Sequence, residues 1–305
     1  MNTVNFQNFS PSLTPEIAKL RYEGEISLQG VSRLVEQIQS AFDYYQYDHV
    51  ELHIESPGGA ALGLDYLLRN ISKYQSCGKT LQVRTTFLCA SAAALLLAFG
   101  TWGERRVDRA TVLLFHFARL GSSVTGLTAQ TAGGYSRALE RHDQNMLEKL
   151  VDHLCLQAGG ISKLKLQVRS RLDLLDSNWA DIDEEIRGVA LKKNNAARPE
   201  WFKKLRAVSK PQSDISKSRA LYMKYVIEAF QRDAAMDIRE AFALALIDVI
   251  DDIVENDKVL EQTRSGTLET EKEGNENQAE WGNPGDDHSR KYLFRSRKVP
   301  RPVAK

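Results

Sequence analysis

The chain has 305 residues, 42% hydrophobic and 27% charged, an ordinary globular composition with room for one large domain and additions. Lysine and arginine total 41 against 40 acidic residues, and a net charge of +1 supplies no general basic field for nucleic acid. Three cysteines, at 77, 89 and 155, lack CxxC spacing and cannot all pair, which argues for a reducing compartment and against a disulfide framework or a zinc knuckle.

Residues 1–20 form a polar lead with two prolines and without the basic-then-apolar layout of a signal peptide. Leu20-Arg21-Tyr22 reads as a short strand leading to Gly24. Val31 to Tyr45 carries apolar residues at 31, 34, 35, 38 and 42, the period of an amphipathic helix. Val50 to Ile54 alternates like a strand and ends in Ser56-Pro57-Gly58-Gly59, a turn signal. A second amphipathic segment covers Ala61 to Tyr74, and Leu81 to Leu88 reads as the next strand. The longest apolar run, Phe87 to Phe99, has 13 residues, short of the ~20 a membrane span needs. Its small-residue part, Ala90 to Ala98, reads as a helix, and Val112 to Phe115 as a further buried strand before His116. Strands and helices alternating at this spacing give an α/β fold with right-handed crossovers around a parallel sheet. The chain is expected to be a soluble cytoplasmic protein.

Thr128 to Gln157 carries apolar pairs at 146/150, 147/151 and 150/154 and reads as one long helix, closed by Gly159-Gly160. Residues 158–222 turn basic, contain Trp179 and Trp201, and read as a helical insertion. Apolar periodicity returns over 223–255. From Asn256 the chain is rich in Glu, Gly, Asn, Gln and Thr, the composition of a disordered tail over 256–305. Its last 16 residues hold seven basic side chains and no acidic one.

Three local patterns carry chemistry. Two glycines after a strand, Gly58-Gly59, can adopt positive φ and aim N–H groups into a cleft, although most such turns are only turns. Ser91 lies at a strand-to-helix junction among small residues, where a serine is more often a helix N-cap than a nucleophile. His116 follows a buried strand, and in α/β sheets functional groups gather at the carboxyl ends of strands. The other five histidines show no ligand spacing. No pattern calls for a metal or a cofactor.

As an ordered set, Ser-Pro-Gly-Gly, a small-residue serine about 30 positions on, and a histidine 25 residues after it resemble the Clp protease proteolytic subunit, peptidase family S14. Downstream, Arg232-Asp233-Ala234-Ala235-Met236 through Glu240-Ala241, then Leu246-Ile247-Asp248, is similar to that family's Arg-Asp…Met…Glu-Ala…Gly-Leu-Ile-Asp segment. The match covers about residues 20–155 and 223–255. The resemblance implies a ClpP/crotonase-like fold of repeated β-β-α units over 21–157, with the long helix as its handle and 223–255 completing the core. It further implies a serine endopeptidase with Ser91, His116 and Asp233 as catalytic triad and no cofactor. Ser91 Oγ would attack the scissile carbonyl, His116 would act as base then acid, and Asp233 would orient the imidazole. The N–H groups of Gly59 and Ala92 would form the oxyanion hole, each donor worth on the order of 3 kcal/mol. Implied partners are unfolded polypeptide substrates, further copies in a homo-oligomeric ring, and an AAA+ ATPase unfoldase, with no nucleic acid and no membrane.

The chain departs from the family pattern in four places: Phe87 and Ala93 stand where glycines are expected, Phe117-Ala118 replaces Gln-Pro, and Ala245 replaces the Gly of Gly-Leu-Ile-Asp. These leave an inactive or regulatory ring subunit, and an acyl-thioester-binding protein of crotonase type, as alternatives.

Overall fold

A computed structural model describes residues 17–119, 128–179, 198–210 and 214–251. The tail at 256–305, the first 16 residues and the basic stretch around Lys192 and Lys193 lie outside the described residues. The chain is mixed α/β, built on a parallel sheet.

Strand β1 (Ile17–Glu23) opens the main sheet, and its alternating burial turns Ala18, Leu20 and Tyr22 inward. Helix α1 (Leu28–Gln39) follows, capped by Ser27, whose Oγ accepts the Gly30 N–H at 3.1 Å. Its apolar stripe runs on into a π-helical turn at Ser40–Tyr44, so the single helix expected over 31–45 is α-helical only to Gln39. Strand β2 (His49–Glu55), helix α2 (Ala61–Ser76) and strand β3 (Thr80–Thr85) come next. The strand expected over 81–88 is in fact two: β3 ends at Thr85, and β4 (Leu88–Ala90) belongs to a different ladder.

The break is made by Glu55. Its carboxylate accepts the Thr86 N–H and hydroxyl, each at 2.7 Å, and the Leu88 N–H at 2.8 Å. It thereby satisfies the backbone where the chain leaves the main sheet. Phe87 at this turn is 70% exposed, so its ring adds no bulk to the interior.

Helix α3 (Ala92–Ala98), strand β5 (Arg105–Asp108) and strand β6 (Val112–Leu114) continue the pattern. Strand β5 is hard to see in sequence because Arg105-Arg106 reads as surface, yet Arg105 is fully buried. Helix α4 (Ala129–Ala158) is the long helix expected, and it ends at Gly159 in the left-handed region, φ 77°. Helices α5 (Ile161–Ser177), α6 (Glu200–Val208), α7 (Ile215–Gln231) and α8 (Ile238–Ala243) and strand β7 (Val249–Asp251) complete the described chain.

The main sheet runs β1-β2-β3-β5-β7, parallel throughout. At its carboxyl ends the chain folds into a second, shorter layer. There β4 pairs with β6, Ser56 bridges Cys89, Ile26 bridges Gly59, and Leu113 bridges Met236. One hydrophobic core holds the sheet, α1 to α4, and also Leu164, Leu172, Trp201 and Leu205 from the region read as an insertion. Trp179 packs against Trp201 at 6.1 Å between ring centroids, with the Arg239 guanidinium 4.2 Å over its face. These helices therefore share the core of the sheet. Asp248 ties the ends together: it bonds Arg105 of β5 at 2.6 Å and Arg171 of α5 at 2.8 Å. Among the described residues no helix is long and apolar enough to cross a membrane.

Candidate active site

The second strand layer carries a cleft of about 590 Å³, lined by Gly58, Gly59, Ser91, Ala92 and His116 among others. The volume lies in the ordinary range of ligand-binding clefts. Four of the five residues expected to carry chemistry thus meet in one place. Asp233 is not among the residues lining it.

Ser91 sits between β4 and α3 with φ 57° and ψ −125°, a conformation L-residues seldom adopt. Such strain costs on the order of 1–3 kcal/mol and persists only where the surroundings enforce it. They do so here: Ala90 N–H bonds the Ser56 carbonyl at 3.0 Å, and Ser91 N–H bonds the Leu114 carbonyl at 2.7 Å. The Ser91 hydroxyl does not cap α3, so the common N-cap role is not the one it plays. A sharp strand-to-helix turn of this kind is how a nucleophilic hydroxyl is presented above a sheet.

The double glycine is dictated by crowding. A Cβ on Gly58 (φ 98°) would fall 2.4 Å from the Ser91 Cβ and 3.0 Å from its Oγ. One on Gly59 (φ 148°) would fall 2.2 Å from the Ile26 carbonyl oxygen. Around it, Ile26 N–H bonds the Gly58 carbonyl and Ala60 N–H bonds the Ile26 carbonyl, each at 2.7 Å. The Gly59 N–H itself has no acceptor among the described residues, nor does that of Ala92 in the first turn of α3. Two open amide protons therefore lie in the wall of the cleft that holds Ser91, a pairing suited to an anionic oxygen.

His116 lies two residues beyond β6. Its Nδ1 bonds the Phe117 carbonyl at 2.6 Å; as the carbonyl only accepts, Nδ1 carries the proton and Nε2 is left as a base. Ser91 and His116 share the cleft without a direct hydrogen bond, the loosened state common before substrate binds.

Asp233 takes a different partner. It sits at φ 51° in the turn after α7, exposed, and its carboxylate forms an ion pair with the Arg119 guanidinium. The turn is fixed on both sides: Arg232 bonds Glu240 at 2.5 Å, and Met236 N–H bonds the Leu113 carbonyl at 2.7 Å. The structure does not bring Asp233 to the imidazole; the backbone carbonyl of Phe117 occupies Nδ1 instead.

Two acids do line the cleft: Glu25, and Asp143 on α4. The Asp143 Oδ1 accepts the Ala118 N–H at 2.9 Å. Burial raises its pKa above the usual carboxylate value, opposed by that N–H and by the nearby His142 and His116. Leu139, His142, Asp143 and Met146 are spaced for one face of a helix, and once that helix crosses the site they line the cleft together. Glu55, one residue before the Ser-Pro-Gly-Gly turn, reads in the sequence only as a polar strand end. Burial pushes its pKa up, but bonds from His53, Leu88 and Thr86 outweigh this and hold it at about 2.

Among the described residues no cluster of His, Cys, Asp or Glu is arranged to hold a metal ion, and Cys77, Cys89 and Cys155 are free thiols. Comparison of the sequence with protein-family models and with curated proteins gave no match.

Proposed function

We propose that the chain is a serine peptidase of the Clp type, with the ClpP/crotonase-like fold. The observation that carries this reading is the strained Ser91 turn, which opens on the free N–H groups of Gly59 and Ala92 and on His116 in a single cleft. Ser91 Oγ attacks the scissile carbonyl carbon while its proton passes to His116 Nε2. The carbonyl oxygen, now anionic, is received by the two amides. Collapse of the tetrahedral intermediate expels the amine, which takes the proton from His116 and leaves an acyl-serine for water to hydrolyse. The Phe117 carbonyl holds the imidazole through Nδ1, the part an aspartate plays in a triad of the family type, while Asp233 stays with Arg119. Assembly into a ring and docking to an AAA+ unfoldase belong to the same reading.

The test is labelling by a fluorophosphonate, which needs an activated serine and no particular peptide. The wild-type chain is expected to label at Ser91, Ser91→Ala not at all, and His116→Ala on the order of 10⁴-fold more slowly or worse. A folded wild type that does not label would refute the peptidase. The second reading, an inactive or regulatory ring subunit, draws on the engagement of Asp233 with Arg119 and of His116 with Phe117. A ring by sedimentation, unlabelled by the probe, is its signature.

A further inference from the structure

We propose that the Ser91 cleft selects peptides bearing a cationic side chain, lysine or arginine, beside the scissile bond, with Asp143 as the carboxylate that reads it. This rests on the peptidase reading and deepens it. The walls near Asp143 are aliphatic: Leu64, Leu95, Leu139 and Met146 line the same cleft. An apolar sleeve with a carboxylate in its wall matches the shape of a lysine or arginine side chain, whose methylene stem buries while its head seeks a charge. One Asp143 oxygen is fixed by the Ala118 N–H, so the group is oriented, and the other has no protein donor among the described residues.

The charges facing the cleft favour a cation. Glu25 and Asp143 line it, and among the described residues neither makes an ion pair. Its basic groups are Arg119, already paired with Asp233, and the imidazoles of His116 and His142. Asp143 also stands on the ridge to an adjoining groove of about 370 Å³ that Glu140 and Glu148 border. Those two glutamates accept only from neutral side chains, Ser136 and Gln144. A peptide entering across α4 meets three carboxylates, Asp143, Glu140 and Glu148, that form no ion pair among the described residues. Burial of Asp143 sharpens the preference, since a partly desolvated carboxylate gains more from a cation than a hydrated one.

The experiment uses the full-length chain and fluorogenic peptides identical except for Lys, Arg, Leu or Glu before the scissile bond. The basic peptides are expected to exceed the leucine peptide in kcat/KM by on the order of tenfold or more, the scale of one charge-assisted bond. Asp143→Asn should collapse that ratio, and Asp143→Glu should restore part of it. If Ser91 labels with fluorophosphonate but the ratio is unmoved by Asp143→Asn, or leucine is preferred, the inference is overturned and the peptidase stands. If Asp143→Asn slows every peptide alike, Asp143 serves His116 rather than the substrate, and the inference again fails. Should Ser91 not label at all, the peptidase reading falls, and benzamidine binding followed by calorimetry decides the cation site alone. Binding lost in Asp143→Asn upholds it; absent or equal binding overturns it.

Discussion

Arg119 and Asp233 meet at the edge of the cleft. The arginine belongs to the loop that follows His116, and the aspartate to the turn that follows α7. Both side chains are about half exposed, so solvent screens the pair and its removal costs little stability, within ~1 kcal/mol. What the pair decides is position, because a carboxylate held by a guanidinium is not holding an imidazole.

Asp233→Asn is therefore expected to slow fluorophosphonate labelling by less than about tenfold. Removing a carboxylate that directly holds a catalytic histidine costs about 10⁴-fold. A loss of that size, from labelling rates of the folded variant, would mean that Asp233 reaches His116 in the reacting state.

Ser91→Gly and Ser91→Ala both remove the hydroxyl, but only glycine tolerates φ 57° without strain. The glycine variant is expected to be more stable than the alanine variant by about 1 kcal/mol, read from denaturant midpoints. Equal midpoints would show that the turn stores no strain.

How much of this was legible in the sequence differs by residue. The strand ending at Glu55, the helix opening at Ala61 and the long helix closing at Gly159 follow from periodicity and turn chemistry. Gly58, Gly59, Ser91, Ala92 and His116 could be named because their order along the chain is distinctive. Asp143 could not, since one acid on a polar helix face looks like any other until the helix is laid across the site. Strand β5 was hidden for a related reason: Arg105 is buried only because Asp248, far along the chain, neutralises it. Ala245 shows the reverse case. It replaces an expected glycine and sits at φ 59°, so the backbone form that favours glycine is kept although the residue changed.

Asp248→Ala strands the guanidinium groups of Arg105 and Arg171, which are 0% and 11% exposed. Breaking a buried pair from one side costs about 3–5 kcal/mol, so the midpoint of urea unfolding should fall sharply. A change under 1 kcal/mol would mean that water enters the site and takes over the bonds.

Acid should unfold the chain in two limbs. Burial, aided by the Arg105 charge and opposed by the Gly100 carbonyl, lowers His153 from 6.5 to about 4. Between those values the folded chain binds fewer protons than the unfolded, so the His153 contribution is whole above pH 6.5 and is lost as pH falls towards 4. Between pH 7 and 5 this amounts to about 2 kcal/mol. Glu55, held at about 2 against an ordinary 4.5, contributes above pH 4.5 and loses that contribution as pH falls towards 2. His153→Phe should flatten the first limb and leave the second, as measured by urea midpoints at pH 7, 5 and 3. A variant that keeps the full loss between pH 7 and 5 would assign it to another group.

The junction at Asp248 also bears on how this architecture can be altered. A helical stretch lying between two parts of a sheet invites excision, as though it were an accessory that could be cut away and the ends rejoined. Here, cutting out α5 would remove Arg171 from a three-way ionic knot and peel Leu164 and Leu172 off the interior they help fill. A shortened relative would need a new cation and new aliphatic packing at the same spots, so this fold should shrink only by substitution in concert and never by deletion alone.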